Sequence, residues 1–161
     1  MTLHHVGIGQ VVEATSSDDI VEMLGLGSCV GIFMCVAGKY VIAAHALLDH
    51  HNHAHDESPG KYVDTAVPHL ISMAAKSGYS KRHLRASIAG GAQIFAFAGG
   101  RPELEIGARN IAAAHEVLRD VGMRVVLDDT GGKNPRRARM TVADGLLEVT
   151  QKSNAMAQSS A

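Results

Sequence analysis

Cys29 and His45 are the two residues whose types and spacing could support nucleophilic catalysis. Cys29 follows a segment that we predict to be a glycine-bearing loop, residues 24–28, and His45 lies in the second apolar segment after it. A free thiol with a pKa of about 8.5 is only a few per cent thiolate at neutral pH, and a neighbouring imidazole activates it by taking its proton. The thiolate can attack a carbonyl carbon, and the imidazolium can protonate a departing amine. The pair therefore predicts a cysteine-dependent hydrolysis of an amide.

Two strands joined by a tight turn are predicted to bring this pair together. Residues 30–36 and 40–48 are apolar and rich in strand formers, and a turn signal separates them. Side chains alternate between the faces of a strand, so a register that pairs His45 with either Cys29 or Gly31 places thiol and imidazole on one face. Direct partners lie about 5 Å apart at Cβ and diagonal ones about 7–8 Å, and an imidazole reaches a thiol over either span.

Three further residues are candidates for shaping the site. Gly27 and Ser28 directly precede Cys29, where a flexible backbone could bring N–H groups close to a substrate oxygen, as an oxyanion hole requires. Gln93 follows a pair of glycines at the end of a predicted strand. We interpret Gln93 either as part of the floor of the site or as a turn residue.

A purely structural interpretation of the same residues stays open on geometry alone. A buried Cys at the start of a strand is usually a small core residue, and a lone His in an apolar strand usually satisfies its hydrogen bonds within the core. Cys35 shares the expected face of Cys29, but it lies near the turn and lacks a glycine approach, so we assign it to the core.

Composition indicates one globular domain without a strongly charged partner. The chain has 161 residues, 46% of them hydrophobic, and a formal net charge of −1, which excludes a strong field for nucleic acid or an anionic membrane. Its two cysteines do not form a disulfide framework. Neither a signal peptide nor a run of roughly 18 apolar residues is present, so we expect a cytoplasmic protein with no membrane insertion.

The distribution of apolar residues predicts an α+β fold with six or seven strands, mostly joined by hairpins, and two principal helices. The helices are expected over residues 62–76 and 106–121. The remaining strands are expected over residues 5–12, 84–89, 124–128, 139–142 and 146–150, the last two around Asp144-Gly145. We expect residues 1–152 to form the domain and residues 153–161 to be a disordered tail.

Four histidines lie close together in one polar segment, at positions His50, His51, His53 and His55. Imidazole suits Zn, Cu and Ni, so a metal-binding protein is one interpretation. No Cys and few carboxylates stand nearby to complete a tight site, and we favour an exposed polar loop. The predicted chemistry needs no metal and no cofactor.

Residues 24–30 read LGLGSCV and resemble the signature of the CheD family of chemoreceptor glutamine deamidases. His45 falls where that family has its histidine, on the next strand. Further segments resemble family motifs in the family order, namely KYVD at 61–64, GGAQ at 90–93, IGARN at 106–110 and DTGG at 129–132. The resemblance extends from about Val6 to Thr150.

This resemblance implies a layered α/β/β sandwich similar to bacterial toxin deamidases. It also implies hydrolysis of the side-chain amide of selected glutamines on methyl-accepting chemotaxis receptors, giving glutamate and ammonia, with Cys29 as nucleophile and His45 as base. Some members also bind the chemotaxis phosphatase CheC. A protein that binds receptors or CheC with weak catalysis is the alternative.

One position departs from the family pattern. The family usually carries a Thr just upstream of this signature, as the third member of a Cys–His–Thr triad, and this chain has Met23 there. A thioether cannot orient an imidazole as a hydroxyl does. A backbone carbonyl could accept the second N–H of His45, a hydroxyl from Ser28, Thr15 or Thr150 could replace the Thr, or activity could be weak. We favour the backbone carbonyl.

Overall fold

The computed structural model describes residues 1–51, 58–93 and 105–151, which form one α+β sandwich. Within these ranges no helix is both long and apolar enough to cross a membrane. The strands are β1 (Leu3–His5), β2 (Val11–Ala14), β3 (Ile20–Leu26), β4 (Val30–Val36), β5 (Tyr40–Ala46), β6 (Arg85–Gly90), β7 (Val125–Thr130), β8 (Arg136–Thr141) and β9 (Leu147–Gln151). The helices are α1 (Val63–Lys76) and α2 (Ile106–Asp120).

The strands form two sheets that lie face to face. Sheet A has the order β1-β3-β8-β9, and sheet B has the order β2-β5-β4-β6-β7. Neighbouring strands are antiparallel except β1 with β3 and β6 with β7, which are parallel. Strands β4 and β5 therefore lie in the interior of sheet B, where both of their faces can be covered.

Alternation along β4 and β5 divides the core into two layers. Even-numbered residues such as Ile32 pack with Leu70 of α1 and Leu118 of α2. Odd-numbered residues such as Phe33 pack against sheet A, where Met140 of β8 belongs to the same cluster. Because both faces are buried, both strands are almost continuously apolar, as the sequence shows. The arrangement of helices, sheet B and sheet A confirms the predicted α/β/β sandwich.

Several predicted elements are confirmed, and others are wrong in detail. The hairpin of β4 and β5, both helices and the hairpin around Asp144-Gly145 occur where the sequence places them, within a few residues. The described residues hold nine strands, not six or seven, and only β4–β5 and β8–β9 are hairpins of consecutive strands. Residues 5–12 do not form one strand, because a turn at 7–10 separates β1 from β2. The predicted tail, 153–161, lies outside the described residues.

The glycine-bearing segment before Cys29 was predicted as a loop, and this is wrong for its first part. Residues 24–26 end strand β3, which pairs with β8 and shifts register between Met23 and Leu26. Gly25 has a φ of 63°, in the left-handed region that favours glycine. The irregularity therefore lies inside a strand of sheet A, and residues 27–29 alone connect β3 to β4.

Candidate functional site

Cys29 and His45 lie on the same face of sheet B, the face that is turned toward sheet A. In the register of β4 and β5, Gly31 is the direct partner of His45, so Cys29, one residue before β4, is the diagonal neighbour. Cys29 packs in the cluster between the sheets together with Phe33. Of the two registers open at the sequence level, the structure has the one that pairs Gly31 with His45.

The backbone of residues 6–10 fixes the position and tautomer of His45. The His45 Nδ1 atom lies 3.0 Å from the carbonyl oxygen of Val6. A carbonyl can only accept, so Nδ1 carries the proton and Nε2 holds the lone pair. The backbone of His45 is held on both sides as well, since Gly9 N–H donates to its carbonyl at 2.8 Å and its N–H donates to Gln10 at 3.2 Å.

The basic nitrogen of His45 is buried and unpartnered. His45 is 3% exposed, and its Nε2 atom has no hydrogen-bond partner among the described residues. Burial lowers the pKa of the imidazole, and the bond to the Val6 carbonyl opposes this shift without cancelling it. Because Nε2 has no partner, the described structure contains no hydrogen bond between Cys29 and His45.

Cys29 is a buried thiol at the floor of a cavity. It is 6% exposed, and burial raises the pKa of its thiol above the ordinary value of 9.0, although its own backbone N–H acts in the opposite direction. The pKa shifts of Cys29 and His45 together favour a neutral thiol beside a neutral imidazole. Neither shift favours a thiolate–imidazolium ion pair before substrate binds.

Backbone contacts with the end of β6 hold the segment that carries Cys29. Gly91 N–H donates to the carbonyl of Cys29, and Ala92 N–H donates to the carbonyl of Gly27, both at 2.8 Å. Gly90 has a φ of 108°, and a Cβ there would collide with the carbonyl of Cys29. The glycine pair at 90–91 is thus needed for a close approach of two backbones.

Asn110 of α2 is a part of the site that the sequence analysis did not single out. Its Nδ2 atom donates to the carbonyls of Ser28 at 2.9 Å and Leu47 at 3.0 Å, so one side chain joins the segment before Cys29 to the end of β5. The residue is fully buried. The only signal in the sequence was the family resemblance of residues 106–110, which gave no role to Asn110.

The predicted site residues Gly27, Ser28, Cys29 and Gln93 line one cavity of about 430 Å³. The other lining residues are Ile8, Gly25, Leu47, Ala92, Glu105, Ile106 and Gly107. At this cavity Gln93 Nε2 donates to Glu105 Oε1 at 2.5 Å, and the Gln93 backbone N–H donates to Gly132 at 2.8 Å. Gln93 is therefore held in place from two sides.

His45 reaches a second cavity of about 380 Å³, which adjoins the first. Ile8 and Gly25 line both cavities, and Leu24 and Glu22 line the second. The structure thus brings Cys29, Gly27, Ser28 and Gln93 into one cavity and places His45 at the next. The turn that carries Ile8 also supplies the backbone groups that hold His45.

Met23 packs beside the strand segment that carries Cys29 and His45, and it contributes no hydrogen bond to His45. It is fully buried in β3, and its Sδ atom packs so closely on Gly31 that a Cβ at Gly31 would lie 2.5 Å from it. The partner of His45 Nδ1 is the Val6 carbonyl. The backbone carbonyl expected for a chain without the family Thr is therefore present, and no hydroxyl takes this place.

The histidine-rich segment lies only partly within the described residues. His50 Nδ1 is 3.1 Å from an oxygen of Asp49, which also pairs with Arg109 at 3.2 Å. His53 and His55 lie outside the described residues. Among the residues that the structure describes, no group of three or more His, Cys, Asp or Glu could hold a metal ion.

Comparison with known proteins assigns the family. The family model described as CheD chemotactic sensory transduction matches residues 47–151 of this chain. The chain belongs to the CheD family. That match begins after Cys29 and His45 and so includes neither residue.

Two CheD relatives illustrate the similarity. A protein from Methanococcus vannielii, named probable chemoreceptor glutamine deamidase CheD, is 38% identical over 145 residues, which cover 89% of this chain and 88% of that protein. The chemoreceptor glutamine deamidase CheD of Thermotoga maritima is 37% identical over 145 residues, with the same coverage of 89% and 88%.

Proposed function

We propose that this chain is a chemoreceptor glutamine deamidase that uses Cys29 as nucleophile and His45 as general base. The observation that carries the proposal is the state of His45. Its Nδ1–H is fixed on the Val6 carbonyl, so its buried Nε2 is a free base on the face of sheet B that also carries Cys29. Membership in the CheD family and the names of its relatives support the substrate class.

The first half of the reaction forms a thioester. Nε2 of His45 takes the proton of the Cys29 thiol as Sγ attacks the side-chain carbonyl carbon of a receptor glutamine. The tetrahedral intermediate collapses as the imidazolium returns that proton to the departing amine, and the carbon–nitrogen bond breaks to release ammonia. The backbone of Gly27 and Ser28, with Gln93 beside them, is our candidate region for stabilising the oxyanion.

The second half of the reaction restores the enzyme. His45 takes a proton from water, and the hydroxide attacks the thioester carbon. The carbon–sulfur bond breaks, Sγ recovers a proton from the imidazolium, and the receptor side chain leaves as glutamate. No metal, cofactor or oxidant enters the balance of atoms, and one His serves both halves because its Nε2 starts and ends unprotonated.

The neutral resting pair sets a requirement on substrate binding. The thiol and the imidazole share a face, yet they do not hydrogen-bond in this conformation. Catalytic hydrogen bonds are often long in free enzymes and shorten when substrate binds. We propose that an occupied cavity brings Sγ to Nε2 by rotation of the Cys29 side chain, so that the proton moves during attack and not before it.

The approach to the cavity suits the side chain of a glutamine on the surface of a helix. Cys29 does not lie in an open surface groove, since it is only 6% exposed. The cavity is, however, lined by Ile8 and Ile106, which are 60% and 46% exposed. A protruding glutamine could reach the floor while neighbouring receptor residues rest on these side chains. A cytoplasmic location would follow from such a substrate.

A second candidate function is a protein that binds receptors or the phosphatase CheC with weak catalysis. The buried, protonated thiol of Cys29 and its missing bond to His45 are the observations that favour it. The presence of Met23 in place of the family Thr also favours this second candidate. The two candidates differ in whether the wild-type protein turns over receptor glutamines.

The experiment is incubation of the protein with receptor cytoplasmic fragments, followed by mass spectrometry of tryptic peptides for conversion of Gln to Glu. We expect conversion by the wild-type protein and none by Cys29→Ala or His45→Ala. Cys35→Ala is the matched control, because Cys35 is also a buried thiol but bonds to Gly145 near the β4–β5 turn. Full activity in Cys29→Ala would refute the mechanism, and binding without conversion by wild type would favour the second candidate.

A further inference from the structure

Glu105 is a buried carboxylate in the cavity of Cys29 that the proposed mechanism does not use. It directly precedes α2, is 8% exposed and lines the same cavity as Cys29 and Gln93. Buried carboxylates are rare unless they are paired, since removing a charge from water is costly. Among the described residues no Lys, Arg or His forms an ion pair with Glu105. Its side-chain partner in the described structure is the Gln93 amide.

At this cavity Glu105 already binds one carboxamide, that of the Gln93 side chain. Nε2 of Gln93 donates to Oε1 of Glu105 at 2.5 Å. An amide –NH₂ can only donate and a carboxylate can only accept, so the polarity of this contact is fixed. Gln93 carries the functional group that a substrate glutamine carries. The cavity that holds Cys29 thus already holds a primary carboxamide by its –NH₂ group.

The product of deamidation could not make the same contact. A glutamate side chain has no N–H to offer, and its charge has the same sign as that of Glu105. A site that hydrogen-bonds one ligand prefers it to a ligand that lacks the donor. Like charges brought together at low dielectric add repulsion. A carboxylate in this position would therefore distinguish amide from acid at the one group that the proposed reaction changes.

We infer that Glu105 is a specificity-determining residue that accepts an N–H of the substrate carboxamide and disfavours the glutamate product. The inference rests on the proposed deamidation. In this role Gln93 occupies the acceptor when the site is empty, and the substrate amide takes an N–H contact with Glu105 when it enters. Glu105 takes part in no covalent step.

The test measures binding in a Cys29→Ala background, where no turnover changes the ligand. Two forms of a receptor cytoplasmic fragment serve as probes, one with glutamine and one with glutamate at every position of its methylated region. We expect the glutamine form to bind about tenfold or more tightly than the glutamate form. Adding Glu105→Gln, which keeps size and an acceptor oxygen but removes the charge, should reduce this ratio to near one.

The matched control is Cys29→Ala with Glu116→Gln, which removes the same charge from an exposed position of the same helix. This variant should keep the full ratio. A ratio that Glu105→Gln leaves unchanged would overturn the inference and leave Glu105 as a structural partner of Gln93. A wild-type protein that deamidates no receptor glutamine would overturn the proposed function instead, while the binding ratio would still report on Glu105.

In the active protein, the same substitution has a second readout. Glu105→Gln should make the reaction sensitive to inhibition by the glutamate form of the fragment, because the product would no longer be repelled. A loss of folding would lower turnover without changing the relative affinity for the two forms. The ratio of the inhibition constant to KM therefore separates a role in specificity from a role in stability.

Discussion

At the scale of single residues, the proposed chemistry depends on a thiol and an imidazole whose pKa values burial shifts in favour of the neutral forms. Burial raises the pKa of Cys29 and lowers the pKa of His45, so each shift opposes transfer of the proton before substrate arrives. Such a pair reacts by general base catalysis during attack, whereas a preformed ion pair would present a standing thiolate. The two cases differ in how the free enzyme reacts with thiol reagents.

We predict that iodoacetamide labels Cys29 slowly in the free protein at neutral pH. The rate should rise through the alkaline range, because a raised pKa keeps the thiol protonated until the pH exceeds its ordinary value of 9.0. His45→Ala should abolish deamidation yet change this labelling rate by less than about threefold, since no resting ion pair is lost. Fast labelling at pH 7 that disappears in His45→Ala would contradict a neutral resting pair.

Met23→Thr tests how the imidazole is oriented. The Val6 carbonyl already holds His45 Nδ1, so a hydroxyl at position 23 has little to add, and the rate of deamidation should change by far less than about 100-fold. Stability should fall by about 2 kcal/mol or more, because a fully buried thioether that packs on Gly31 is lost. Steady-state kinetics and thermal unfolding measure the two effects.

Met140→Thr is the control for this loss of packing. Met140 is fully buried in the same cluster, on β8, so it should cost comparable stability and leave kcat unchanged at a temperature where the protein is folded. A gain of 100-fold or more in Met23→Thr alone would show that the natural chain is an impaired enzyme. The second candidate function would then be favoured.

At the scale of elements, α2 holds the segment before Cys29 and the end of β5 from outside sheet B. Asn110 links Ser28 and Leu47, which precede Cys29 and follow His45. Gly107 lies so close to the carbonyls of Gly91 and Ala92 that a Cβ would come within 2.6 Å of each. One helix face thus sets the distance between the end of β6 and the two segments that bear the reacting side chains.

Asn110→Ala should reduce kcat about 10- to 100-fold with little change in KM, because a small displacement of the Ser28 carbonyl moves Cys29. Two buried carbonyls would lose their donor, at a cost of about 1–3 kcal/mol in stability. Leu118→Ala on the same helix should cost about 2–5 kcal/mol without a change in kcat while the protein is folded. Equal kcat values in Asn110→Ala and Leu118→Ala would exclude a positioning role for Asn110.

The parts of the fold that the sequence predicted are those that depend on local pattern. Strands β4 and β5 are consecutive and apolar, so their pairing and the shared face of Cys29 and His45 followed from alternation. Strand β3 was not predicted, because its end contains Gly25 and its partner β8 lies far along the chain. Asn110 was missed because a buried amide in a helix gives no periodic signal.

At the scale of the whole molecule, the site lies where three layers of the sandwich approach each other. His45 lies in β5 of sheet B, and Cys29 directly precedes β4 of the same sheet. The end of β3 in sheet A supplies Leu24, and α2 supplies Ile106. Ile8, on the turn between β1 and β2, borders the cavities of both reacting residues. In the proposed function, a receptor that covers this region would contact all three layers at once, although Cys29 and His45 both belong to the hairpin region of β4 and β5.

Several large apolar side chains are exposed in the described structure, and three of them line these cavities. We call these three residues, Ile8, Leu24 and Ile106, the rim. They are 60%, 52% and 46% exposed. Exposed apolar side chains next to a cavity with polar groups commonly mark the surface on which a partner docks. In the proposed function the partner is the receptor helix around the target glutamine, which offers apolar residues at helical spacing.

We predict that Ile106→Ser or Leu24→Ser raises KM for a receptor cytoplasmic fragment about tenfold, the effect of losing roughly 1.4 kcal/mol of contact energy. Hydrolysis of a short glutamine peptide, which cannot span the rim, should change much less, because the cavity below is intact. Val126→Ser and Leu146→Ser are matched controls, since both residues are exposed and apolar but line neither cavity. If the rim and control variants raise KM equally, or if the short peptide is affected as strongly as the fragment, the receptor does not dock on this surface.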